Sequence, residues 1–330
     1  MIQSRTGSEI AASGVPVGQT EQGEDVVSNG VFGEATISIC VPTWKDGADA
    51  LLASLIRLDG VERCTLLIFD DGSKDADLSR HLVRQILRYP GPARLITAST
   101  NKGRATARNR LQALAETDWL LFLDADMRPD DDAFVTRYLE LAETLTEPTL
   151  VPGGFSLHYA TPTRETQLHF AQSKASECVD AGVRRKAPGR YVFTSNLMVH
   201  RDILNGVSFD PGFVGWGWED VDWGLQVAER YAIHHIDNPA THLGLDKDAA
   251  LIEKYGRSGA NFARLVARHS AAMEATPLYK SARLLSRLPG RSGFAWLGRK
   301  LALGRGLPLG VRLFGLKFYR AAQYAPHLRT

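Results

Sequence analysis

Only three cysteines, Cys40, Cys64 and Cys178, occur in the 330 residues of this chain. Their spacing fits no metal-ligand pattern, and an odd number cannot complete a disulfide framework. The sequence therefore predicts reduced thiols in a cytoplasmic setting. No run of 18 apolar residues exists, so no transmembrane helix is expected. The first 35 residues lack a basic start followed by an apolar stretch, which predicts no secretory leader. No glycine-rich phosphate loop with a neighbouring lysine lies near the first apolar run, which argues against that mode of nucleotide binding. Acidic residues are missing from 275–330, where eleven Lys/Arg fall. The first 274 residues then carry 28 basic and 37 acidic groups, a net charge of −9 hidden beneath the overall +2.

What is present reads as α/β. Residues 1–35 are rich in Gly, Ser, Gln and Glu without a period, and predict a flexible N-terminal arm. Short apolar runs follow at Ile37–Val41, Thr65–Phe69, Ala93–Thr97 and Trp119–Leu123. Helical spacing fills the gaps, over Asp49–Leu58, Asp77–Arg88 and Arg104–Glu116. Continuous apolar strands alternating with helices predict βαβ units and a mostly parallel sheet flanked by helices. Further on, Tyr191–Val199 and Ile233–Ile236 read as strands, Glu219–Arg230 as a helix and Ala249–His269 as one longer helix.

Ligands of such sheets bind beyond the C-terminal ends of the strands. Two acidic clusters fall there. Asp70-Asp71-Gly72-Ser73 follows the second run; carboxylates so placed can bind a base or ribose, although Asp-Gly is also a frequent turn pair. Asp124-Ala125-Asp126 follows the fourth run, and its hard oxygens suit Mg2+ or Mn2+ bridging to a diphosphate. A solvated loop would carry the same three residues. Asn101–Asn109 opens a helix with Arg104 and Arg108, a setting that favours an anion or simply a capped, solvated helix. Gly215–Trp223 packs three tryptophans and three carboxylates into nine positions. Flat rings suit an apolar sugar face, and carboxylates can bind hydroxyls or take a proton.

In order along the chain, Val41-Pro42-Thr43, Asp70–Ser73, Asn101-Lys102-Gly103 with Ala107-Arg108-Asn109, and Asp124-Ala125-Asp126 resemble glycosyltransferase family 2 of the GT-A (Rossmann-like) fold. The Gly-Trp-Gly-Trp-Glu-Asp run is similar to the acceptor-side motif of galactosyltransferase-like and chondroitin-polymerase-type members. The resemblance spans about residues 36–260. It implies a GT-A domain over 36–274, with a nucleotide-binding half at 36–130 and an acceptor half at 150–274. It also implies roles. Pro42, Thr43, Asp70 or Asp71, Arg104, Arg108 and Asp124 would hold the nucleotide-sugar. Asp126 and His242 would hold Mn2+ or Mg2+. Asp220 would be the catalytic base, and Trp216, Trp218 and Glu219 would bind the acceptor. A lone histidine is more often structural, and only the family spacing argues otherwise for His242.

The expected reaction is an inverting, metal-dependent transfer of a hexose, galactose or N-acetylhexosamine, from a UDP-sugar. The acceptor would be a saccharide or lipid-linked saccharide, in surface polysaccharide or glycolipid synthesis. A carboxylate base and a metal-stabilised diphosphate suffice for in-line displacement without a covalent intermediate. Two positions depart from the galactosyltransferase pattern: Trp218 stands where a second glycine is common, and Val221 where some members carry an acid. A nucleotidyltransferase of similar fold and a non-catalytic carbohydrate-binding membrane scaffold are the alternatives. Residues 275–330 mix the eleven cations with Leu284, Leu285, Trp296, Phe314 and Phe318. They predict a basic amphipathic helical tail on an anionic membrane surface, cytoplasmic and peripheral on the inner face, or else a subdomain packed on the core. No nucleic-acid partner is expected.

Overall fold

The computed structural model describes residues 16–289 and 291–328. Twelve strands are described: β1 (Val17–Gln19), β2 (Asp25–Ser28), β3 (Ile37–Thr43), β4 (Cys64–Asp70), β5 (Ala93–Thr97), β6 (Trp119–Leu123), β7 (Met127–Pro129), β8 (Thr149–Pro152), β9 (Phe155–Ser156), β10 (Asn196–His200), β11 (Ala232–Ile233) and β12 (Ala240–His242). Nine of them form one sheet in the order β1-β2-β5-β4-β3-β6-β10-β8-β11. The central β5-β4-β3-β6 block is parallel, as the apolar runs predict. Both flanks are antiparallel at β1/β2, β2/β5, β6/β10 and β10/β8, so the sheet is mixed rather than mostly parallel. A small sheet, β7-β12-β9, stands beyond the end of β6.

Successive side chains of the central strands feed opposite cores, as a period of two requires. Ile37, Ile39 and Val41 of β3 join one core with Leu66 and Ile68 of β4. That core is covered by α1 (Asp49–Leu55), α2 (Ala76–Ile86) and α4 (Phe134–Thr144). Cys40, Leu67, Phe69, Leu120 and Phe122 face the other core. It is covered by α3 (Arg104–Leu114), α7 (Arg201–Gly206) and α8 (Glu219–Ala228). Each fully buried aliphatic or aromatic side chain contributes about 1.5–3 kcal/mol. Both faces are thus sealed, and the loops at the strand ends remain free for ligands. The three cysteines are free thiols, and burial pushes Cys64 up to about 12.

Three expectations are corrected. The arm over 1–35 lies outside the described residues up to residue 15, but from there it is ordered. β2 adds to β5 because Val26 and Val27 bury in the two cores, and Arg110 clamps Glu24 at 2.6 Å. The single helix expected over 249–269 is two, α9 (Asp248–Arg257) and α10 (Gly259–Arg268). They break at Ser258, whose hydroxyl lies 2.6 Å from that of Tyr324. The remaining helices are α5 (Gln167–Ser176), α6 (Ala181–Arg184), α11 (Ser270–Glu274), α12 (Pro277–Ser286), α13 (Arg291–Leu303) and α14 (Leu309–Tyr324).

Third, the basic tail is not a detached amphipathic segment. Ala282, Leu285, Ala321, Ala322 and Tyr324 bury against Phe262 and Leu265 of α10. Leu316 and Tyr319 bury against Leu251, Ile252 and Tyr255 of α9. Some of its cations are internal. Arg312 is 3% exposed, pairs with buried Asp248 and donates from Nε to the Ala302 carbonyl at 3.0 Å. A charge without a partner cannot be buried, so Asp248 is what lets α14 carry Arg312 inward.

Candidate active site

Four chain segments bring their polar residues to the C-terminal edge of the parallel block. β3 and β4 end side by side, with Thr43 opposite Asp70. The Thr43 hydroxyl donates to the Asp46 carbonyl at 2.6 Å, and Pro42 lies beside it, partly buried. Asp70 is 1% exposed. Its Oδ1 accepts from the backbone N–H and hydroxyl of Ser73 at 3.1 and 2.5 Å. Among the described residues its Oδ2 is buried without a partner. An unpaired buried carboxylate oxygen is costly, so it marks a place where a ligand donor fits. Asp71 is different. Its oxygens accept from the backbone N–H groups of Lys102 (2.9 Å) and Gly103 (2.7 Å) at the start of α3. Burial pushes its carboxyl above the usual value, and Asp70 beside it adds to the rise. Asp71 therefore fixes the Lys102-Gly103 loop, and Asp70 carries the free acceptor.

α3 then delivers its arginines. Arg108 is 1% exposed, with Nη2 3.0 Å from Asp124 and Nη1 3.6 Å from Asp220. Its Nε has no partner among the described residues. Desolvation opposes the charge on Arg104, but Asp124, Glu219, Asp220 and Asp126 outweigh it and hold its pKa above the ordinary value. One basic helix end is thus set among four carboxylates from β6 and α8.

Asp220 sits in the first turn of α8, with its side chain 23% exposed. The Thr194 hydroxyl donates to its Oδ1 at 2.8 Å, and the Thr194 backbone N–H donates to Oδ2 at 3.2 Å. Those bonds hold the carboxylate in one orientation while leaving part of it open. Glu219, beside it, is 7% exposed, and burial followed by the Asp220 charge pushes its carboxyl upward. Asp222 and Trp223 of the same run serve the scaffold. Asp222 binds Arg268 and His269 at 3.0 and 3.1 Å, and the Trp223 indole donates to the Val207 carbonyl at 2.7 Å.

His242 on β12 comes within 3.0 Å of Asp126, Nε2 to Oδ2. Burial raises the Asp126 carboxyl, but the His242 bond and charge outweigh it and hold the pKa below the usual carboxylate range. No third His, Cys, Asp or Glu completes a three-ligand cluster among the described residues. A carboxylate oxygen and an imidazole nitrogen suit Mn2+ or Mg2+ whose other positions are filled by diphosphate and water. The donor set fits that ion. Gly244 keeps the place open: a Cβ there would stand 2.0 Å from Asp126 Oδ2.

Trp216 and Trp218 are half-buried against the C-terminal helices rather than fully presented to the cleft. Trp216 packs edge-on against Tyr255 with ring centroids 5.2 Å apart. Trp218 packs on Phe262 at 5.0 Å, and the Arg320 guanidinium lies 5.7 Å from its ring. The Trp218 backbone is left-handed, φ 79°. Sequence reasoning missed Thr194, Gly244 and Trp44. Trp44 follows β3, is 51% exposed and sits under Lys45 at 4.5 Å. Trp44 is the only one of the three with a visible sequence signal, an aromatic directly after Val41-Pro42-Thr43.

With two aspartate clusters and a buried arginine at one sheet edge, the comparison with known proteins is decisive for the domain. Residues 38–196 match the family described as Glycosyl transferase family 2.

The chain carries a family 2 glycosyl transferase domain.

The matched stretch holds Thr43, Asp70, Asp71, Arg104, Arg108, Asp124 and Asp126, and stops before Glu219, Asp220 and His242. An uncharacterized glycosyltransferase of Haemophilus influenzae is 37% identical over 106 residues. That alignment spans about a third of either protein, 32% of each. A mannosyltransferase from Pyrobaculum calidifontis, solved with GDP-Man and Mn2+, superposes with a TM-score of 0.51 at 17% identity, over 88% of this chain and 86% of that one. Glucosyl-3-phosphoglycerate synthase from Mycobacterium tuberculosis, solved with Mn2+, UDP and glucosyl-3-phosphoglycerate, gives 0.50 at 18% identity, over 71% and 80%. These two likenesses establish the GT-A fold around the family 2 domain.

Proposed function

We propose that this chain transfers a hexose, galactose or N-acetylhexosamine, from a UDP-sugar to a hydroxyl of a saccharide or lipid-linked saccharide, with inversion. The product would feed surface polysaccharide or glycolipid synthesis. The observation that supports this reading most is the convergence of Asp124, Asp126, Arg108, Asp220 and His242, drawn from β6, α3, α8 and β12. A turn or a solvated helix would not set two carboxylates on a buried arginine with a carboxylate–histidine pair beside them. The GDP-Man and Mn2+ of one solved neighbour, and the UDP and Mn2+ of the other, support a nucleotide-sugar donor and a divalent cation.

In this reading Pro42, Thr43 and Asp70 seat the uridine, with Asp70 Oδ2 accepting a base N–H. Asp124 faces the ribose, and Arg104 and Arg108 offset the diphosphate charge. Asp126 and His242 would hold Mn2+ or Mg2+, which when bound stabilises charge developing on the leaving diphosphate. Asp220 takes the acceptor proton as the acceptor oxygen bonds to the anomeric carbon; the sugar–phosphate bond breaks and its electron pair leaves with UDP. Thr194 keeps Asp220 aimed at that proton. Glu219 binds a second acceptor hydroxyl, and the exposed edges of Trp216 and Trp218 form the acceptor wall. Among the described residues no helix is long and apolar enough to cross a membrane. We place the reaction on the cytoplasmic face, with peripheral attachment.

The test is UDP release from a panel of UDP-sugars with Mn2+. Asp220→Asn should lower turnover about 10²–10⁴-fold, the usual weight of a general base, while UDP still binds. Full turnover by that variant would remove Asp220 from its role. Release of pyrophosphate instead of UDP would favour nucleotidyl transfer.

A further inference from the structure

Exposed large apolar residues are not spread evenly over this protein. Of the fifteen among the described residues, eight fall between Leu284 and Phe314. Scattered single exposures are ordinary, whereas a concentration of this kind marks an interaction surface. Trp296 is 62% exposed, Phe314 61% and Leu284 61%, with Leu297, Leu309 and Val311 also open. They lie on α12, on α13 and on α14 with the turn that leads into it. α13 and α14 form a hairpin packed closely enough that a Cβ on Gly315 would stand 2.6 Å from that of Leu301. The inner faces of these helices are consumed by the two helical cores. Among the described residues nothing covers the outer faces.

The charge of this surface names its occupant. Lys280, Arg287, Arg299, Lys300 and Lys317 are exposed. None of these five forms an ion pair among the described residues, and no acid occurs in 275–330. Lys300 lies 5.7 Å from the Trp296 ring, so cation and apolar side chain stand together. A protein partner of ordinary composition would answer an apolar face but not a one-sided charge. An anionic bilayer answers both, because tryptophan, phenylalanine and leucine enter the headgroup boundary while lysine and arginine reach lipid phosphates. We infer that the outer face of α12–α14, led by Trp296 and Phe314, is a docking surface for anionic membrane. The inference deepens the lipid-linked acceptor reading and rests on it only for its purpose; the surface is tested without any turnover.

It differs from the amphipathic tail expected from sequence. Leu285, Phe318 and Tyr319 are turned inward and partly or fully buried. Leu297, Leu309 and Val311 take their place outside.

The experiment is co-sedimentation of the full chain with phosphatidylcholine vesicles, with and without phosphatidylglycerol. Binding should require the anionic lipid and weaken with salt. Arg299→Glu with Lys300→Glu should weaken it by more than the roughly fivefold per cation that neutralisation implies. Trp296→Glu with Phe314→Glu should abolish it. All four sites are exposed, so melting temperature and solution UDP release should stay at wild-type values. Wild-type protein left in the supernatant with anionic vesicles at low salt would overturn the inference. So would undiminished binding by the Trp296/Phe314 variant, or self-association that this variant abolishes in the absence of any vesicle binding. Vesicle binding without UDP release from any donor would instead sink the transfer reading and leave the surface standing.

Discussion

Gly244→Ala separates the metal role proposed for Asp126 from the other roles proposed in the cleft. Gly244 is exposed and does not adopt a left-handed backbone, so alanine costs it little locally. The new methyl, however, would stand 2.0 Å from Asp126 Oδ2 and 2.9 Å from its Cγ. Real contacts of this type do not fall below 3.0 Å, so Oδ2 must move by at least about 1 Å. That oxygen is the one that stands 3.0 Å from His242, so the shift acts on the pair directly. A 1 Å misplacement of a working group costs on the order of 10²-fold. We expect Gly244→Ala to lower Mn2+-supported UDP release by about that factor and to shift the Mn2+ requirement upward. Urea unfolding and UDP binding through Asp70 should be unchanged. The assay is UDP release across a Mn2+ titration, paired with Mn2+ binding followed by electron paramagnetic resonance. A variant with wild-type Mn2+ affinity and turnover would show that Asp126 does not hold the ion in this orientation.

Arg312→Ala should cost about 3–5 kcal/mol in urea unfolding, because it leaves the Asp248 carboxylate buried without its cation. Arg312→Met with Asp248→Leu should recover most of that loss, and a wild-type midpoint for the single variant would refute the account. Glu219 has a carboxyl raised above its ordinary 4.5, so its contribution to stability is full below pH 4.5 and is lost as pH rises through the folded value. Glu219→Gln should therefore be more stable than wild type at neutral pH, with the gap closing as pH falls through the raised folded value and gone below 4.5. Thermal melts across that pH range would show it, and a gap that widens in acid would contradict it.

The centre of the fold was legible because its signal is local. Apolar runs correspond to β3, β4 and β6, and those of β4 and β6 lead directly into aspartates. Among the candidate residues, Asp124 and Asp220 pair with Arg108, and Asp126 pairs with His242; all but Arg108 lie next to a strand end or a helix start. What could not be read depends on partners distant in sequence. Asp70 and Asp71 are equivalent as letters, and only the N–H groups of Lys102 and Gly103 decide which keeps a free oxygen. Thr194 and Gly244 act 26 and 118 positions from the carboxylates they serve, with no motif around them. β1 and β2 are too short and polar to announce themselves, and they exist because β5 offers an edge. In the tail, composition showed cations among apolar residues but not which side of each helix faces water.

The packing around Trp218 bears on how the protein is made. A left-handed backbone costs a non-glycine residue about 1–2 kcal/mol, and here it directly precedes Glu219 and Asp220. Phe262 and Tyr324 hold the indole, with Arg320 over its face. Two of those three partners come from α14, roughly a hundred residues later in the chain. Synthesis proceeds at about 5–20 residues per second, so the family 2 domain leaves the ribosome seconds before the helix that braces Trp218. A chain released early would keep the strand-end residues proposed to seat the nucleotide and lack the strut behind Trp218. Ribosome-stalled intermediates should therefore bind UDP before they bind acceptor, which orders the two halves of the site in time as well as in space.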